Sequence, residues 1–189
     1  MIVGITGGSG GGKTTVLRQA EKRGALILDC DEIYHELLKS NPQMLWEIEN
    51  RFPGSVENSV LDRKKLGKFV FDDPEALQDL NAITHGAIKA EILRRLAEKP
   101  ALAAIDAIAL FEGGLAALCD TTVAVTAPRA DRVERLMKRD GISYEYAENR
   151  INAQKSESWF REMCDHTLHN DGTQAQFQEK CSEFLDHIL

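Results

Sequence analysis

The sequence predicts an α/β protein: a three-layer fold with a five-stranded parallel sheet flanked by helices, a helical insertion and a helical lid. Three observations predict it. Short apolar runs alternate with amphipathic helical stretches, the pattern of a parallel, doubly wound sheet. A glycine-rich loop, Gly7 to Thr14, follows the first apolar run directly and opens a helix. The stretch after the second run is helical and too long for a simple crossover, which marks an insertion.

The first strand is Ile2-Val3-Gly4-Ile5. The loop after it, Gly-Gly-Ser-Gly-Gly-Gly-Lys-Thr, matches G-x-x-x-x-G-K-[ST], a phosphate loop. Glycines let consecutive backbone N–H groups turn inward around an anion. Gly8, Gly10, Gly11, Gly12, Lys13, Thr14 and Thr15 are therefore candidate nucleotide ligands. Lys13 has the reach for the β- and γ-phosphates, and the Thr14 hydroxyl suits Mg²⁺. A helix from Thr15 to Arg23, stopped by Gly24, points its positive end at the anion. A nucleoside triphosphate with Mg²⁺ is the expected ligand.

Gly24 to Leu28 reads as the second strand, ending in Asp29-Cys30-Asp31. Ligands of open α/β sheets bind at the carboxyl ends of strands. An extended backbone there turns Asp29 and Asp31 the same way. Asp31, one step further along, is the candidate base that orients an acceptor hydroxyl, and Asp29 a candidate substrate contact. The plain alternative is an N-cap for a helix starting near Glu32.

From there to about Pro100 the chain reads as helical. Asn41-Pro42 opens one helix, Asp62 caps another, and Asp73-Pro74 starts a third, with Pro at the first helical position. The apolar pattern resumes after His85-Gly86, which places His85 at a helix boundary, with contact to an anionic substrate as a second role. Trp46 and Trp159 read as packing residues.

Leu102 to Ile105 is the third strand. Asp106 ends it at the Walker-B position, where an acid lies near Mg²⁺, directly or through water. Glu112 follows in the next loop as a candidate substrate contact. Thr121 to Thr126 is the fourth strand. A basic helix from about Arg129 to Lys138 comes next, with Arg129, Arg132, Arg135, Lys138 and Arg139 at three- to four-residue spacing. Such a run is ordinarily a solvated, salt-bridged face. Arginines are also the usual clamp for the equatorial oxygens in phosphoryl transfer, so Arg139, Arg135 and Arg150 are candidate phosphate contacts. Asp140-Gly141 is the turn where a lid would hinge, and it leads into a second helix, Ser143 to about Gln154. Residues 166–168 form a weak fifth strand, and Asn170-Asp171-Gly172 lies over the base or is a plain turn. Thr173 and Gln176 fit a capping box that opens the last helix.

Bulk properties narrow the classes. The 189 residues are 43% apolar and 28% charged, an ordinary globular composition. The net charge of −7 argues against a nonspecific nucleic-acid or anionic-membrane surface. No apolar stretch approaches the length of a membrane span. The phosphate loop begins at Gly7, leaving no room for a signal peptide. Cys30, Cys119, Cys164 and Cys181 show no metal spacing, so reduced thiols and a cytoplasmic location are expected.

These motifs, in this order, resemble the dephospho-CoA kinase family within the P-loop kinases. The resemblance rests on Thr6 to Thr15, Leu28 to Ile33, Leu61-Asp62-Arg63 through Phe71, His85, and Asp106 to Glu112. It continues through Arg135 to Gly141, Arg150 to Gln154, and Asp165 to Gly172. It covers about residues 2–172. The family pattern has Ile at Ser9, Ser at Gly11, and Pro at Gly86 and Ile108. The resemblance implies a P-loop kinase fold with ATP and Mg²⁺ as cofactors and dephospho-CoA as substrate, phosphorylated on its ribose 3′-hydroxyl. It implies a single domain over residues 1–189, with a core of about 1–31, 100–136 and 160–189, a substrate-binding insertion over 32–99 and a lid over 137–159. By position, residues 10–15 hold ATP, Asp31 is the base and Arg139 belongs to the lid. A monomer or weak homo-oligomer is expected. A kinase for another small hydroxyl or a nucleoside monophosphate, and a noncatalytic nucleotide switch, remain the alternatives. Neither N-K-x-D nor D-x-x-G occurs, which weighs against a GTPase switch.

Overall fold

The computed structural model describes residues 1–189. In chain order the elements are β1 (Ile2–Thr6), α1 (Lys13–Glu21), β2 (Leu26–Asp29), α2 (Cys30–Ser40), α3 (Pro42–Arg51), β3 (Val56–Glu57) and β4 (Val60–Leu61). Then follow α4 (Arg63–Val70), α5 (Pro74–Leu96), β5 (Ala103–Asp106), β6 (Thr121–Thr126), α6 (Arg129–Asp140), α7 (Tyr144–Asn152), α8 (Glu157–Met163), β7 (His166–His169) and α9 (Gln174–Ile188). The chain divides into two compact units, residues 1–28 with 100–189, and residues 29–99.

The first unit is built on a five-stranded sheet of order β2-β5-β1-β6-β7. β1 pairs in parallel with β5, from Ile2 opposite Ala103 to Ile5 opposite Asp106, and with β6, from Val3 opposite Thr121 to Thr6 opposite Ala124. β7 joins β6 in the same sense. The central strands are buried on both faces, so they read as continuous apolar runs rather than alternating ones. Val3, Ile5, Ala104, Val123 and Val125 pack with Val16 and Leu17 of α1 and with Phe177 and Leu185 of α9. Each large side chain so buried stabilises the fold by roughly 1.5–3 kcal/mol. Gly4 has no room for a side chain: a Cβ there would lie 2.8 Å from Cys119 Sγ and 2.9 Å from Leu110 Cδ2. None of the four cysteines forms a disulfide. Burial pushes the thiols of Cys119 and Cys181 up to about 12 and that of Cys164 to about 11. The expected capping box is present, with Thr173 and Gln176 bonding each other's backbone at the head of α9.

The second unit is mainly helical, each helix started by a capping side chain. Asp29, Asn41, Asp62 and Asp73 accept the first free N–H groups of α2, α3, α4 and α5. Three features differ from the sequence expectation. β3 and β4 form a small antiparallel hairpin, with Glu57 opposite Val60. Asn58 and Ser59 both have positive φ, 50° and 63°, as a type I′ turn requires. α5 runs unbroken for 23 residues, so His85 and Gly86 lie inside a helix and not at a boundary. Trp46 is 61% exposed and is not a packing residue. In the first unit, α8 is a further helix that the sequence reading did not separate from the lid.

Candidate active site

The phosphate loop owes its shape to close packing on its outer side. Gly7, Gly10 and Gly12 hold φ values of 130°, 79° and 112°, a region that disfavours side chains. A Cβ on Gly7 or Gly11 would lie 2.2 or 2.7 Å from the Val125 carbonyl oxygen. One on Gly12 would lie 2.5 Å from Asn170 Nδ2. The loop is thus pressed against the end of β6 and against Asn170. Lys13 begins α1, and its ammonium donates to the Gly7 carbonyl at 3.0 Å. Thr14 is exposed and Thr15 half-buried in the first turn of α1. The helix therefore presents its free N–H end at a loop with no side chain before Lys13 except Ser9, a cradle suited to an oxyanion.

Asp106 ends β5, opposite Ile5 in the neighbouring strand. Just beyond it, Thr6 Oγ1 donates to the Ile108 carbonyl at 3.2 Å, tying the ends of β1 and the following loop together. Glu112 is exposed in that loop. No group of three His, Cys, Asp or Glu side chains is gathered for a metal. This donor set suits an ion that arrives with a nucleotide and keeps phosphate and water oxygens, as Mg²⁺ does.

The basic helix α6 does two jobs. Arg135 Nη1 donates to the Gly10 carbonyl at 3.1 Å. Arg132, which sequence reading left among the solvated residues, is only 8% exposed, and its Nε donates to the Ser9 carbonyl at 2.9 Å. Its Nη2 reaches Gln154 Oε1 at 3.2 Å, and the same oxygen accepts the Ser9 N–H at 2.9 Å. Gln154 Nε2 donates to Ser9 Oγ at 2.7 Å. Both residues lay inside stretches noted in the sequence, the arginine run and Arg150 to Gln154, but their targets are far away in the chain. Asn170 is buried, and its Nδ2 donates to the Gly11 carbonyl at 3.0 Å. That side chain therefore supports the loop.

Further along α6, Arg139 forks onto Asp140 at 2.6 and 2.9 Å, and Arg150 of α7 reaches the same carboxylate at 2.8 Å. The Arg139 hydrogen bond, with help from Arg150, holds the Asp140 carboxyl below its ordinary range. Gly141 closes α6 with φ 65°. Arg129 braces the two helices through Glu148 at 2.6 Å and Asn152 at 2.6 Å. Beside Asn170 lies a cavity of about 410 Å³ lined by His169, Asp171, Gly172, Gln176, Phe177 and Lys180.

In the second unit, Asp29 and Asp31 do not share an extended segment, because α2 already begins at Cys30. Asp29 is the N-cap: its Oδ1 accepts the N–H groups of Asp31 at 2.9 Å and Glu32 at 3.2 Å. Asp31 is exposed in the first helical turn, its backbone held by Asp29. His85 is half-buried midway along α5.

Comparison with known proteins places these features. The family model described as dephospho-CoA kinase matches residues 1–176. A curated dephospho-CoA kinase of Latilactobacillus sakei is 32% identical over 99% of this chain and 95% of its own length. One of Oryza sativa is 33% identical over 99% of this chain and 84% of its own. A crystal structure from Thermus thermophilus superposes with TM-score 0.86 at 30% identity, covering 100% of this chain and 97% of that one. A shikimate kinase of Bacteroides thetaiotaomicron shares the fold, with TM-score 0.57 at 17% identity over 100% of this chain and 97% of that one. The glycine cradle, the acid ending β5 and the arginine-bearing helices α6 and α7 therefore have a family: the chain belongs to the dephospho-CoA kinases.

Proposed function

We propose that the chain transfers the γ-phosphoryl group of ATP to the ribose 3′-hydroxyl of dephospho-CoA, giving CoA and ADP. The observation that carries this reading is the phosphate loop in a chain whose family match runs almost end to end. The same match favours it over a nucleoside monophosphate kinase or a noncatalytic switch.

The residues divide the work as follows. Amides of Gly8 and Gly10 to Thr15 cradle the phosphates, and Lys13 leaves the Gly7 carbonyl to neutralise charge on the β- and γ-phosphates. Thr14, with Asp106 directly or through water, would hold the Mg²⁺ that comes with ATP. That ion supplies charge neutralisation on the phosphates. Arg139 is placed in the lid, one fork from Asp140, to meet the transferring group, and Arg135 supports the loop at Gly10. Asp31 accepts the acceptor hydroxyl's hydrogen bond and orients it, so no covalent intermediate is needed. Asp29 fixes the start of the helix that carries Asp31, and His85 and Glu112 are substrate contacts. The cavity beside Asn170-Asp171-Gly172 takes the base. Residues 32–99 serve as the substrate-binding region and 137–159 as the lid. A cytoplasmic location with reduced thiols and a monomer or weak homo-oligomer complete the proposal. No helix is long and apolar enough to cross a membrane.

A substrate panel tests the reading. ADP release is followed with Mg²⁺-ATP and dephospho-CoA, pantetheine compounds, nucleosides or nucleoside monophosphates. Turnover with dephospho-CoA is expected; turnover with nucleoside monophosphates alone would overturn it.

A further inference from the structure

Arg132 is a cation in an unusual place. It is 8% exposed, and its partners are a carbonyl and an amide oxygen, not a carboxylate. The side chain lies so close to the loop that a Cβ on Gly8 would fall 2.1 Å from Nη2, and one on Gly10 3.1 Å from the Arg132 Cβ. Burial pulls its guanidinium below its ordinary range, with Glu157 and Arg129 the charges that act on it most. It nonetheless stays charged at neutral pH, because arginine titrates far above it. A buried cation bonded to neutral groups is costly to hold. That cost is offset when an anion arrives nearby, and the loop beside it is the one that receives a polyphosphate.

Gln154 fixes this cation. Its amide oxygen accepts both Arg132 Nη2 and the Ser9 N–H, and its amide nitrogen donates to Ser9 Oγ. Gln154 follows the C-cap of α7. Ser9 is therefore gripped at its N–H, its carbonyl and its hydroxyl by residues from α6 and the end of α7. We propose that Arg132 and Gln154 are positioning residues: through Ser9 they hold the phosphate loop in its binding shape and keep a desolvated positive charge against it, raising affinity for the polyphosphate. This rests on the reading that the loop binds Mg²⁺-ATP and adds two residues that never need to touch it.

The test measures nucleotide affinity by calorimetry, KM for each substrate, kcat, and the melting temperature of the nucleotide-free protein. Arg132→Met removes the charge and the fork. It should weaken Mg²⁺-ATP binding roughly tenfold or more and ADP binding less, with AMP binding within twofold, because the lost attraction scales with phosphate charge. KM for dephospho-CoA should stay within twofold. The melting temperature should hold or rise, since an uncompensated cation has gone; a structural prop would move it the other way. Gln154→Ala should raise KM for Mg²⁺-ATP by roughly fivefold, and Gln154→Glu should raise it at least as much, because a carboxylate keeps the bonds to Arg132 and the Ser9 N–H but cancels the positive charge beside the loop. Should Arg132→Met fail to fold, Arg132→Gln, which removes the charge but keeps a donor for the Ser9 carbonyl, carries the same test, and Ser9→Ala, which removes only the hydroxyl held by Gln154, should give a two- to threefold rise in that KM. Unchanged ATP affinity, an equal loss for ATP and AMP, or parallel rises in both KM values would overturn the proposal. Absence of Mg²⁺-ATP binding by the wild-type chain would instead overturn the underlying reading, as would Lys13→Ala with unaltered ATP affinity and turnover.

Discussion

Lys13 rests on the Gly7 carbonyl, and the proposed function has it exchange that contact for phosphate oxygens. Lys13→Ala should slow ADP release by roughly a hundredfold or more in a coupled assay, the scale of removing one transition-state charge partner. Asp31→Asn should lower kcat by roughly a hundredfold and leave ATP affinity within twofold, because the amide cannot take a proton yet sits outside the loop. Turnover at the wild-type rate would reassign the base. At this scale the sequence spoke clearly wherever chemistry and spacing are local. Lys13, Thr14 and the glycines are in one octet, and Asp31 follows a strand. It was silent where a side chain bonds backbone across the chain: Arg132 looks like any residue of a solvated arginine face until Ser9, 123 positions away, is beside it. Asp29 shows the converse. Two aspartates read as a pair, but helix α2 starts between them and makes one a cap for the other's N–H.

Helices and strands were legible unevenly. β6 and the capping box of α9 emerged at their observed residues, since apolar runs and S/T-x-x-Q spacing are local signals. β3 and β4 have two residues each, too short for any period, and only the positive φ of Asn58 and Ser59 reveals the turn. α5 was read as broken because Gly86 is a poor helix former; its own turns and neighbours override that preference. Glu91 on α5 forms ion pairs with Arg94 and Arg95, at 2.8 Å each, and Arg95 also bonds Glu36 of α2. The Arg94 hydrogen bond, followed by that of Arg95, pulls the Glu91 carboxyl down to about 2 from 4.5. A depressed carboxylate contributes stability that is fully present above its unfolded value and is lost as pH falls from about 4.5 toward 2. Glu91→Gln should therefore lower the melting temperature at pH 7 and flatten its fall between pH 5 and 2. After discounting for solvent screening the effect is about 1 kcal/mol. Gly141→Ala, at φ 65° with no neighbour within 4 Å of the new methyl, should cost about 1–2 kcal/mol by backbone strain alone, read as a lowered denaturation midpoint.

Over the whole molecule, order is graded. β1 is paired on both sides and buried on both faces, whereas the β3–β4 hairpin has two pairs and an exposed Val60. Native-state hydrogen exchange should find the amides of β1, β5 and β6 slowest and those of residues 56–61 among the fastest ordered ones, since local opening follows burial and pairing. Uniform protection across both would contradict this grading. The central strands could be anticipated because buried parallel strands are apolar throughout, whereas their order, β2-β5-β1-β6-β7, depends on pairings distant in the chain. The sequence reading put the helical insertion at about residues 32–99, and the two compact units divide at 28–29 and 99–100.

The thiols offer an experimental opening. Alkylating reagents attack the thiolate, and burial keeps Cys119, Cys164 and Cys181 protonated near neutrality, while Cys30 is sequestered at the head of α2. A cysteine introduced on the outer face of α9, as in Glu179→Cys, should outcompete all four natural ones for maleimide. Fluorophores or spin labels then become attachable at chosen points without first stripping the chain of its native sulfur.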